Sequence, residues 1–191
     1  MQETRLNGSA KEGNYTRFMA MVGTSSVVML GLMYLNTYAL NHVFWSETRF
    51  WMMFVMGAAM AVVMLLFMWG MYKNTAKNWL IIGVAAVTFA LSLFLVRSQA
   101  TIDDSDYMSA MIPHHSIAVL TSERAGIEDA RVRELANSII RAQRKEIAEM
   151  KWLLEDIEAN GVAATREEAL ARPVPTFQGS LNDGGWEPNL P

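Results

Sequence analysis

Three long apolar runs punctuate the first half of the chain, at about residues 18–40, 50–71 and 79–96. Each offers about the 17–25 residues that a helix needs to cross a bilayer. None carries a charge in its interior; Arg17, Arg49, Lys73, Lys77 and Arg97 stand at the ends. A buried soluble helix rarely stays apolar on every face for so long, so the pattern predicts three membrane-spanning helices. Beyond residue 97 the pattern changes. Asp103, Asp104 and Ser105 supply N-cap chemistry, and a helix is expected from about Asp104 to Arg124, stopped by Ala125-Gly126. A second is expected over about 128–160, with Val132, Leu135, Ala136, Ile139, Ile140, Ile147, Leu154 and Ile157 repeating at helical spacing between Arg, Lys and Glu. This is an amphipathic soluble helix, with Gly161 as its expected C-cap. Arg172-Pro173-Val174-Pro175 and Asp183-Gly184-Gly185 read as an irregular tail, and Trp186 as a lone anchor within it.

The division is therefore a segment 1–17, a three-helix membrane domain over 18–97, a helical hairpin over 103–160 and a tail over 161–191. Two helices have too little core to bury such a stripe alone. The expected solution is dimerisation into a four-helix bundle. The polar start followed by a full-length span argues against a cleavable signal peptide. Arg5, Lys11 and Arg17 precede the first span, and Lys73 and Lys77 lie between the second and third, whereas residues 41–48 carry no Lys or Arg. The positive-inside rule then puts the N-terminus and second loop in the cytoplasm, and the first loop and the hairpin outside. In a bacterium that is the periplasmic face of the inner membrane. Trp45, Trp51 and Trp79 fall near the interfaces, and Gly57/Ala61 and Ala86/Ala90 are small pairs that let helices pack closely.

Composition sharpens this picture. Hydrophobic residues make up 52% of the chain and the net charge is −3, with no basic patch to neutralise phosphates, so nucleic acid is not an expected partner. Cys is absent, which removes disulfides, thiolate metal sites and Cys nucleophiles together. Met is abundant, at 15, while His occurs only at 42, 114 and 115. On the first hairpin helix Met108, Met111 and His115 share a face, with His114 beside them. Pro113 either kinks this helix or begins a separate one. The second helix places Gln143, Glu146 and Met150 at the same spacing. A turn near Gly126 is expected to set the Met111–His115 level against Val132–Leu135. Met150 is then too far along, unless a partner chain brings it back. Thioether and imidazole ligands suit Cu(I), with Ag(I) as a second candidate. The competing reading is that Met fills the bundle core and the His residues cap it.

The stretch from Asp106 to Leu154, with Met-Ile-Pro-His-His and then Ala-Gln-Arg-Lys-Glu-Ile-Ala-Glu-Met, resembles the domain-of-unknown-function 305 family. The resemblance covers about a quarter of the chain. It implies a ferritin-like four-helix fold, an exported setting and an association with copper and silver. It also implies metal-binding roles for Met111, His114, His115 and Met150, with Gln143 and Glu146 nearby. The family's Gln after the His pair is Ser116 here. The membrane half is similar to a three-span version of the family. In the second span Met52, Met56, Met60, Met64 and Met68 recur every fourth residue. Such a row spirals by about 40° per step and reads as adaptable packing, with a thioether relay for Cu(I) as the alternative.

The leading expectation is an all-α, membrane-anchored, periplasmic Cu(I)-binding protein that sequesters copper or passes it to an exporter, oxidase or chaperone. The alternative is a structural or assembly module of a membrane complex with no bound metal. A di-iron enzyme is disfavoured because no Glu is followed by His at the Glu-x-x-His spacing. No other catalytic constellation is evident.

Overall fold

The computed structural model describes residues 14–181. Trp186, Asp183-Gly184-Gly185, Arg5 and Lys11 lie outside them. Among the described residues the chain is all α, with six α-helices and no strand: α1 Tyr15–Leu32, α2 Glu47–Phe67, α3 Thr75–Ser98, α4 Asp104–Arg124, α5 Ala130–Asn160 and α6 Arg166–Ala171. It divides into two compact units. Among the described residues, one combines 14–32 with Arg49–Ala100; the other combines Met33–Thr48 with 101–181.

In the first unit, α1 and α2 pack in opposite directions. Phe18 and Val22 of α1 form a buried cluster with Ala61, Leu65 and Tyr72. One step further along the same contact, a Cβ at Gly57 would sit 2.5 Å from Ser26 Oγ. The small Gly57/Ala61 pair is thus where the backbones close. Met60, Met64 and Met68 lie partly buried against the cluster, as flexible fillers of an uneven gap. Asn74 caps α3 by accepting from the Lys77 amide. Asn78, almost fully buried, accepts from the Tyr15 hydroxyl at 2.7 Å and donates to the Tyr72 carbonyl. These bonds tie the α2–α3 turn to the start of α1.

Two helices, α2 (21 residues) and α3 (24 residues), are long and apolar enough to cross a membrane. Leu80, Val84, Val87, Leu91 and Phe94 of α3 stand exposed at alternating three and four spacing. Such a face has no water-compatible role unless lipid or protein covers it. The first apolar run behaves differently from expectation. Its helix stops at Leu32, and Thr24-Ser25-Ser26 dilutes what remains. Residues 33–46 lie between α1 and α2, and Met33–Thr48 belongs to the second unit.

That second unit is built on α4 and α5. Asp103 caps α4 through the Asp106 amide, and Asp129 caps α5 through the amides of Arg131 and Val132. Gly161 closes α5 at φ +77°, donating to the Ile157 carbonyl. Pro113 lies inside α4, which runs unbroken from Asp104 to Arg124. The tail holds more structure than its composition predicts. Thr165 and Glu168 form a capping box that starts α6. The chain then doubles back along α5. Arg172 binds Asp156 at 2.7 Å and the Gly161 carbonyl at 3.0 Å. Gly179 lies so close to α5 that a Cβ would collide with the Arg141 carbonyl. From Asp156 back to Arg141 is roughly 22 Å at the helical rise. The tail is a strap held along α5 at Asp156, Gly161 and Arg141.

Candidate functional site

The Met/His segment sits in the middle of α4, and α5 passes it in the opposite direction. Met108 and Ile112 form one buried cluster with Ile147 and Met150, flanked by Phe44, Met111, Leu153, Leu154 and Ile157. Met150 therefore meets Met108 within a single chain. The expected match of Met111–His115 with Val132–Leu135 is wrong because equal steps back and forward from the turn lead further along α5. His115 faces Glu146, and Glu123 faces Arg144. No partner chain is required to bring Met150 to this level.

The His pair does not converge. His114 is exposed, and its ring lies 6.1 Å from that of His115, tilted by 59°. His115 is largely enclosed, with Nδ1 3.1 Å from Glu146 Oε2. The two are in contact but not in line, so buried Nδ1 has no aligned hydrogen-bond partner. Burial lowers the His115 pKa below its ordinary 6.5; the Glu146 charge pulls it up, and neighbouring His114 pushes it down again. The ring is therefore held toward its neutral form. Gln143 Nε2 reaches Glu146 at 3.5 Å.

This arrangement corrects the copper and silver expectation. Among the described residues no group of three or more His, Cys, Asp or Glu side chains comes together as a metal site. The sulfur-bearing side chains of Met108 and Met150 are buried with isoleucines, His115 is turned to Glu146, and His114 is exposed. The metal-binding, copper-handling and ferritin-like assignments fall with it. Of the two readings of these residues, core filling is the one the packing matches.

The contacts that organise this region involve residues the motif did not flag. Ser116 is fully buried. Its Oγ accepts the Tyr38 amide at 2.7 Å and lies 2.9 Å from His42 Nδ1. Phe44 joins the Met108 cluster. Residues 33–48 thus fold onto α4 as part of its core. Arg144 is the second organiser. It pairs with Glu123 of α4, donates to the Tyr38 hydroxyl at 3.2 Å and to the Ser180 carbonyl at 3.2 Å, and lies over the Tyr38 ring at 5.5 Å. One guanidinium joins α4, α5, the 33–48 segment and the strap. Ser116 stood out in the sequence only through the resemblance, which implies a Gln at this position. Arg144 had no sequence signal beyond being one basic residue among several on α5.

Residues 104–180 match the family described as Domain of unknown function (DUF305). An uncharacterised protein of Acanthamoeba polyphaga mimivirus is 34% identical over 97 residues, which is 50% of this chain and 62% of the relative. The match thus covers less than two thirds of that relative's length. No solved structure matches significantly.

Proposed function

We propose that this chain is a non-catalytic assembly module: a membrane-anchored helical pair that serves as a structural part of a membrane complex. The observation that carries this reading is the fate of the Met/His residues. Met108 and Met150 are consumed in packing, and His115 is consumed in its contact with Glu146. What the α4–α5 pair offers instead is surface, including exposed Val132 and Leu135. In this reading α1 joins α2 and α3 as a third span. Arg17, Lys73 and Lys77 mark the cytoplasmic side, and the α4–α5 hairpin stands on the outer face.

Native gel electrophoresis of gently solubilised membranes tests this. The chain should migrate in a complex larger than itself. That complex should survive the double substitution Met111→Ala plus His114→Ala, and be lost with Leu135→Asp. A chain that migrates alone, or a complex destroyed by the Met111/His114 variant, would overturn the assembly reading.

A further inference from the structure

Resting on the membrane anchoring in that reading, we infer that the segment between α1 and α2 is itself a lipid-contacting surface, through which the second unit rests on the headgroup layer of the bilayer. This segment, residues 33–46, carries no Asp, Glu, Lys or Arg. Yet much of it is open: Leu40 is 92% exposed and Leu35 77% exposed, and Val43 and Trp45 are exposed with them. Apolar residues scattered singly over a surface need no explanation, but four on one short uncharged segment do.

The inner side of the segment is fixed on the second unit. The Ser46 amide donates to the Tyr34 hydroxyl at 3.1 Å and closes the segment on itself. Tyr38 and His42 bond Ser116, and Phe44 packs on the Met108 cluster. From His42 to Ser46 burial alternates: His42, Phe44 and Ser46 are covered, while Val43 and Trp45 are exposed. An alternating stretch that faces water turns its apolar residues inward and its polar residues outward. Here His42 and Ser46 face inward, and both outward positions are apolar. That inverted order is the one found where lipid lies on the outer face.

Continuity of the chain names lipid as the occupant. α2 is long and apolar enough to cross a membrane and begins at Glu47. Trp45 precedes it by two residues, a reach of about 7 Å. Leu35 follows the end of α1 at Leu32 by three residues, a reach of about 10 Å. The headgroup zone is roughly 5–8 Å deep on each side of the hydrocarbon core. With α1 and α2 as spans, both ends of the segment are tethered close to that zone. Tyr34, Tyr38 and Trp45 carry the amphipathic rings enriched there. The segment also brings no ionised side chain that lipid contact would have to desolvate.

The absence of Cys in the chain allows single labelling sites. Full-length protein carrying Leu40→Cys or Leu35→Cys is labelled with a nitroxide and reconstituted into phosphatidylcholine vesicles. Its collisions are measured with oxygen, which concentrates in lipid, and with a water-soluble nickel chelate. Both positions are exposed, so circular dichroism should be unchanged. Val84→Cys on the exposed face of α3 and Glu128→Cys at the exposed α4–α5 turn give the lipid and water reference levels. Nickel collisions should be several-fold rarer at positions 40 and 35 than at 128, with oxygen favoured as it is at 84. Nickel collisions at the level of position 128 would overturn the proposal. So would labels shielded from both agents, which would mean that protein covers the segment. If either occurs while position 84 stays in lipid and the large native complex persists, the assembly reading stands without this inference. If position 84 meets nickel as freely as position 128, the anchoring itself fails and this inference falls with it.

Discussion

At the scale of single residues, His115 changes meaning most. Its spacing from Met108 and Met111 was legible, because helical periodicity alone puts them on one face. What it faces was not, since the register of α4 against α5 depends on the length of the turn. The buried ring is held toward its neutral form, and this has a consequence for stability. Near pH 7.5 neither the folded nor the unfolded chain carries this proton. As pH falls through the ordinary 6.5, the unfolded chain takes it up first, so folding stability drops. The loss continues until the folded ring titrates at its own lower value. Denaturant midpoints measured between pH 7.5 and pH 5 should therefore fall more steeply for the wild type than for His115→Gln. Parallel slopes would show that His115 is not the group responsible.

Among the elements, α5 was the most readable and the strap the least. Its apolar stripe, its start within two residues and its Gly161 cap all follow from local pattern. The strap has no periodicity to read. It is held by particular partners, Arg172 on Asp156 and Gly179 on the Arg141 carbonyl, and such long-range partners leave no local trace. The first apolar run was legible as a helix only as far as Leu32; from Met33 on the chain belongs to the second unit, where Phe44 packs against the Met108 cluster. Arg144 is the point where these elements meet. Its side chain is 9% exposed, so Arg144→Ala leaves Glu123 without its partner and releases both Tyr38 and Ser180. The expected cost is about 3–5 kcal/mol, the range for breaking a buried ion pair. Arg144→Lys should recover only part, because an ammonium cannot fork to three acceptors. A variant as stable as wild type in thermal unfolding would show that the elements are held together elsewhere.

The whole molecule is organised differently from its order in sequence. A reading along the chain separates membrane spans from a C-terminal hairpin, whereas the second compact unit recruits Met33–Thr48 from between α1 and α2. The recruited segment fills specific places: Tyr38 and His42 bond the buried Ser116 hydroxyl, and Phe44 covers the Met108 cluster. A serine at this position leaves room that a longer side chain would occupy. A longer polar side chain, introduced as Ser116→Gln, should displace the segment and cost about 1–3 kcal/mol by overpacking. The same logic predicts that residues 101–191 produced alone are not equivalent to the domain in the full chain. Without residues 33–48, Phe44 no longer covers Met108 and Ile112, and Ser116 loses the Tyr38 amide. The fragment should unfold at lower denaturant than a version with residues 33–48 fused through a flexible linker, and it should bind more of a hydrophobic dye. Matching midpoints would mean that the segment only rests on α4. A higher midpoint in the fused version would mean that the connection between α1 and α2 is a structural part of the second unit, so that the chain passes between the two units three times.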